Sequence, residues 1–213
     1  GQRSEHRYPR WLASLGPARI AYLADRHNTG HSQGRLEGLG RALADAGGGT
    51  VVPFVADDSG RAKVRRAIGR RLSASLPSGE GWEGEPMARM PALLGPAVDQ
   101  ASRYITLHPL IEACLRERTI TAWVAHNDLL GCYCMDLLTR RGIPVPGRLS
   151  VVGFDDTPGA LGHDMTSYDF GGRAAVHAAV SYLLRPDTMR GVGLRYEAPG
   201  QVVVRGSTGR ARG

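Results

Sequence analysis

Three side chains of different chemistry stand out in this chain: the guanidinium of Arg35, the amide of Asn127 and the carboxylate of Asp155. A guanidinium donates in pairs, a carboxylate accepts in pairs, and an amide does both. Together they suit a small molecule with vicinal hydroxyls. Arg26, Thr29 and Ser32 add further polar groups in the stretch DRHNTGHSQ, residues 25–33. Each residue also has a plainer use. Asn127 can cap a helix, Asp155 can sit in a turn, and Arg35 can pair with Asp25. Catalytic patterns are missing: no nucleophile elbow, P-loop or GxGxxG follows a strand. GLGRAL is a piece of amphipathic helix, and His108, His126 and His163 are scattered. The expectation is therefore a binding protein and not an enzyme, with no cofactor.

The elements that would position these groups form a βαβ pattern. Ile120–Ala125 is a short apolar run, expected as a strand covered on both faces. Asn127 or Asp128 can cap a helix whose Leu129, Leu130, Tyr133, Leu137 and Leu138 recur at helical spacing. Arg140 and Arg141 suit its C-terminal dipole, Gly142 its left-handed cap, and Pro144 and Pro146 prevent continuation. Leu149–Phe154 is the next strand, with Asp155 and Asp156 leaving its end. Earlier, Arg19–Ala24 reads as a strand, Gly34–Ala46 as a helix and Thr50–Ala56 as a strand. Alternation of this kind predicts an α/β fold with a parallel sheet flanked by helices on both faces. Ligands of such sheets bind beyond the C-terminal strand ends, near the point where strand order reverses.

Composition sets bounds. The chain has 213 residues, 42% hydrophobic content and a formal net charge of +7. It can hold one domain with a sizeable core, or one plus part of another. No apolar run approaches the roughly 20 residues of a membrane helix, so no membrane partner is expected. The positive charge is almost all arginine, with Lys63 the only lysine, and it reads as a spread, solvated surface. The three cysteines, Cys114, Cys132 and Cys134, have neither disulfide-framework nor zinc spacing. Reduced thiols in the cytoplasm, and no metal, are expected.

The pattern A-x-N-D, a helix, G-I-P-V-P and then L-S-V-V-G-F-D-D resembles the sensor domain of the LacI/GalR transcriptional regulators. LGPARIAYLAD followed by GRLEGLGRALADAG resembles the strand and helix that open that family's C-terminal subdomain. APGQVVVRGSTG resembles its closing strand. The likeness covers residues 8–47, 108–167 and 197–209. It implies a periplasmic-binding-protein-like fold (type I), with the other subdomain largely missing. It also implies that Arg35, Asn127 and Asp155, beside Arg26 and Thr29, contact a small effector such as a sugar or purine. A homodimer is implied, with Leu129, Cys132 and Leu138 as candidate contacts. So is operator DNA bound through an N-terminal headpiece that no helix pair here supplies. MTSYDFGGRAAVHAAVSYLLRP departs from the family's usual pattern and resembles sensors fused to a GntR-type headpiece, so the headpiece type stays open. The competing reading is a periplasmic-type sugar-binding protein of a transport system; a weaker one is a catalytic domain on the same scaffold.

The expected organisation follows. Residues 1–7 are a disordered segment. Residues 8–164 and 197–206 form the C-terminal subdomain, interrupted at 57–107 by an insertion that is largely a long loop, with a basic helix at Gly60–Leu72. Residues 165–196 cross to the other subdomain and supply a helix, Ala174–Leu184, whose apolar face should be unusually exposed or repacked onto a neighbouring chain. Residues 207–213 are a tail.

Overall fold

The computed structural model describes residues 19–24, 30–45, 48–75, 85–185, 198 and 200–210. They form one six-stranded sheet with helices on both faces. The strands are β1 (Arg19–Ala24), β2 (Thr50–Val55), β3 (Ala122–Ala125), β4 (Ser150–Phe154), β5 (Thr166–Asp169) and β6 (Gln201–Val203). Their order is β2-β1-β3-β4-β5-β6. The first five are parallel, and β6 runs antiparallel on the β5 edge. Strand order reverses between β1 and β3, which opens a crevice at their C-terminal ends. Pro53, which cannot donate to a ladder, is confined to the edge strand β2.

The helices are α1 (Gly30–Asp45), α2 (Arg61–Ser75), α3 (Glu85–Arg116), α4 (Asp128–Arg140), α5 (Pro158–Gly162) and α6 (Gly172–Leu184). On one face Leu107 and Ile111 of α3, Leu130 and Leu138 of α4, and Ala160 of α5 close over Leu23, Trp123 and Val151. On the other, Leu39 and Leu43 of α1 cover Ile20, Tyr22 and Val124. Strands β3 and β4 are buried throughout, as their unbroken apolar runs require. Helix α4 starts as its sequence implies, with Asn127 Oδ1 accepting from the Leu130 amide at 2.9 Å. It stops at Gly142, whose φ of 63° is left-handed.

Several expected boundaries need correction. The 57–107 segment is not mainly loop, since α2 and a 32-residue α3 occupy most of it. Pro91, Gly95 and Pro96 read as breakers, yet the helix runs through them. Its later half is held to the sheet by Leu107, Ile111 and Cys114. Despite its length, α3 is not apolar enough to cross a membrane. Residues 166–169 do not leave the sheet but form β5 beside β4. Polar Thr166 and Ser167 disguise that strand, and both are fully buried with hydrogen bonds supplied from afar. Ser207 to Gly209 are likewise no tail. Ser207 Oγ donates to the Val151 carbonyl at 2.6 Å and accepts from the Thr166 amide at 2.8 Å, and the Gly209 amide reaches Ser150. Helix α6 buries no residue, and Leu183 and Leu184 are exposed as expected. The short helix expected at 10–15 lies outside the described residues.

Leu138 is 0% exposed whereas Leu129 is 45% exposed, so Leu138 fills the core and is not a surface contact. Leu138→Ala should destabilise by about 2–5 kcal/mol, and Leu129→Ala by about 0.5 kcal/mol or less. Urea unfolding of both variants checks the pair.

Candidate functional site

Arg35, one turn into α1, crosses the crevice where strand order reverses. Its Nη1 donates to the backbone carbonyl of His126, at the end of β3. Its Nη2 lies 3.8 Å from Asp155 Oδ1, beyond the end of β4. Its guanidinium carbon sits 4.7 Å from the Phe154 ring centre and 5.0 Å from that of Phe170. Those two rings are stacked, 5.9 Å apart with 18° between planes, and Tyr168 meets both edge-on. The arginine is therefore held by a carbonyl, a carboxylate and two aromatic faces, while 22% of its side chain stays exposed.

Asp155 is unusual in its backbone. Its φ is 103°, and that of Asp156 is 48°, positions that side-chain-bearing residues seldom occupy. Three successive amides hold this turn. Asp155 N donates to the Tyr168 carbonyl at 2.9 Å, Asp156 N to Ser167 Oγ at 3.0 Å, and Thr157 N to Asp128 Oδ2 at 2.7 Å. Ser167 Oγ donates in turn to Asp128 Oδ1 at 2.6 Å. The fully buried Asp128 carboxylate is thus the anchor of the turn that presents Asp155. Gly153 on β4 leaves room for it, because a β-carbon there would strike Asp128 Oδ1 and stand 2.9 Å from Met165 Cε. Asp156, in turn, is held by Arg205 Nη2 at 2.6 Å.

Burial acts in the same direction on both acids. Burial pushes the Asp128 carboxyl above the usual range, against hydrogen bonds from Ser167 and Thr157 that lower it. Burial also raises Asp155, opposed by the Arg35 charge and reinforced by Asp128. Two cysteines near this half of the molecule carry no nucleophile. Burial raises Cys114 to about 12 and Cys132 to about 11, so both stay protonated at neutral pH.

Of the residues singled out in the sequence, the structure brings Arg35 and Asp155 together. Arg35 also touches the carbonyl of His126, the neighbour of Asn127. The Asn127 oxygen is engaged as the α4 cap. Arg26, Thr29 and Asp25 lie outside the described residues. Phe154 and Phe170 escaped sequence reading. The only signal was an aromatic at one strand end and another just past the next, which alternation places on the same face.

The periplasmic binding protein-like domain model matches residues 10–208 of the chain. The chain belongs to that family. Within it, the relatives are of LacI/GalR type. Identity is 29% to the HTH-type transcriptional regulator GalR of Escherichia coli (strain K12), over 71% of this chain and 34% of the relative. An HTH-type transcriptional regulator of Mycobacterium tuberculosis is 37% identical over a shorter stretch, 32% of this chain and 19% of the relative. Among solved structures, a dimeric Lac repressor with an 11-residue C-terminal deletion aligns with TM-score 0.60, at 18% identity, covering 99% of this chain and 62% of that one. A sugar-binding transcriptional regulator of the LacI family from Escherichia coli, complexed with phosphate, aligns with TM-score 0.58 at 20% identity, covering 98% and 61%. These likenesses show the periplasmic-binding-protein-like fold. The chain spans about a third of the length of its curated GalR relatives.

The raised Asp128 pKa makes a signed prediction. A carboxyl with a higher pKa folded than unfolded costs stability progressively as pH rises from the unfolded value through the folded one. Asp128→Asn removes that titration. The melting temperature of the variant relative to the native chain should therefore climb as pH rises above the usual aspartate range, whatever the constant loss from altered hydrogen bonds. A difference that is flat with pH, in thermal melts across pH 3–8 (about that span suffices), would contradict it.

Proposed function

We propose that this chain is the effector-sensing part of a bacterial transcriptional regulator, and that a sugar or similar polyol binds against Arg35 and Asp155. The observation that carries this reading is the pinned guanidinium: Arg35 spans the crevice between the His126 carbonyl and Asp155 while lying over Phe154 and Phe170. A hydroxyl pair can donate to the carboxylate and accept from the guanidinium, and Phe170, 43% exposed, offers a face for the apolar side of a sugar ring. Holding the arginine in place beforehand lowers the ordering cost of binding. Asn127, through its amide, and Arg26 and Thr29, which follow β1 in the sequence, complete the proposed rim.

The curated relatives are named transcriptional regulators, which favours this reading over a transport solute-binding protein and over an enzyme. Operator DNA would be bound by a headpiece outside this chain, in the cytoplasm, by a homodimer. Leu129 and half-buried Cys132 remain candidate dimer contacts; Leu138 does not. Effector held between two subdomains would favour one arrangement of the regulator and so change operator affinity.

Calorimetric titration of the longer regulator with pentoses, hexoses and purines tests the reading. Arg35→Ala and Asp155→Ala should each weaken the winning ligand by about 10- to 100-fold, the loss expected for a charged hydrogen bond. Native affinity in both variants would remove the site assignment. Failure of every ligand to alter operator affinity would remove the sensor reading itself.

A further inference from the structure

Helix α2 has a charge pattern unlike the rest of the chain. In 15 residues it carries Arg61, Lys63, Arg65, Arg66, Arg70 and Arg71 and no acid. Several arginines elsewhere meet carboxylates: Arg19 meets Glu117, Arg41 meets Glu37, Arg141 meets Glu112 and Arg205 meets Asp156. On α2 the acid in reach of Arg61 is Asp99 of α3, at 2.9 Å, and Asp99 also serves Arg103 at 3.3 Å.

The pattern opposes helix stability. Arg61 and Lys63 stand in the first turn, where the helix dipole disfavours cations. Arg61 with Arg65, and Arg66 with Arg70, are like-charged pairs four residues apart. What holds α2 is its inner side. Val64 and Ile68 are half-buried and share that side with Arg61, which reaches α3. Lys63, Arg66 and Arg70, at spacings of three and four, make the opposite side, and all three are exposed. Ala67 and Ala74 lie among them, also exposed, so nothing bulky keeps a partner away.

We propose that the outer face of α2 docks on the phosphate backbone of nucleic acid, without reading its sequence. From Lys63 to Arg70 the helix rises about 10 Å, which matches the rise of about three phosphates of one strand along the duplex axis. A polyanion of that spacing would relieve both the dipole conflict and the like-charge repulsion. An anionic membrane fits less well. A surface-bound helix needs bulky apolar residues opposite its charges, and here that side is spent on α3. This inference stands apart from the proposed effector site, since it shares no residue with it.

The test uses the whole 213-residue chain and duplex DNA of arbitrary sequence. Binding is followed by fluorescence anisotropy as salt is varied. A triple variant, Lys63→Gln with Arg66→Gln and Arg70→Gln, is compared with a charge-matched control at exposed arginines elsewhere, Arg118→Gln with Arg140→Gln and Arg148→Gln. Each lost phosphate contact reduces the slope of log K against log salt by about 0.9, so the α2 triple should reduce it by about 2.7. The control should leave the slope nearly unchanged. Circular dichroism should show the α2 triple as helical as the native chain, because the substitutions remove repulsion. Equal slopes in both triples would overturn the proposal by assigning binding to overall charge. So would α2-dependent binding of phosphatidylserine vesicles or polyglutamate that matches or exceeds that of the duplex.

Discussion

The structure turns on one buried carboxylate. Asp128 opens α4 directly behind β3, and its side chain reaches across β4, through the space that Gly153 leaves, to Ser167 on β5 and to the turn beyond β4. Burying a charge is costly unless it is well hydrogen-bonded. Asp128 meets that condition with a serine hydroxyl and a backbone amide. Its reach makes three otherwise separate parts of the chain interdependent: the start of α4, the glycine of β4 and the left-handed pair Asp155–Asp156. The unusual backbone at Asp155 persists because these bonds determine it from several directions.

The two neighbouring acids therefore divide their work. Asp128 faces inward and fixes geometry. Asp155 is half-exposed beside Arg35 and is the one available to chemistry. Sequence inspection weighted Asp155 and treated Asp128 as a second candidate cap, because a cap and a buried anchor look alike when the partner is 39 residues away. Distance along the chain also hid the aromatic faces under Arg35. Phe154 and Phe170 belong to different strand ends, and only the β4–β5 register brings them side by side.

What was legible is what local rules govern. The unbroken apolar runs of β3 and β4, the cap at Asn127 and the stop at Gly142 each depend on a few adjacent residues. The misread parts depend on partners far off. The segment from Glu85 carries Pro91, Gly95 and Pro96, which local propensity counts against a helix, and burial of its later turns on the sheet outweighs that penalty. In β5 the polar pair Thr166–Ser167 looked like connection, because the groups that satisfy it are distant in the chain: the hydroxyls of Ser207 and Thr208 and the carboxylate of Asp128. Arg35 and Asp155 were found through their motif context, yet their approach to each other needed the sheet.

The stitch made by Ser207 bears on biosynthesis. Its hydroxyl and backbone close the gap at the base of β4 and β5, bonding to Val151, Asp164 and Thr166. Those groups emerge from a ribosome some forty to sixty residues before their partner does, by the separations of 41 and 56 that the two hydroxyl bonds span. Until then the Val151 carbonyl and the Thr166 amide, in the middle of the sheet, lack the partners they have in the finished molecule. The nascent domain can collect its first strands and helices as they appear, but it cannot seal its centre. Completion waits for Ser207, so a chain that stopped before it would be left with an open seam between β4 and β5.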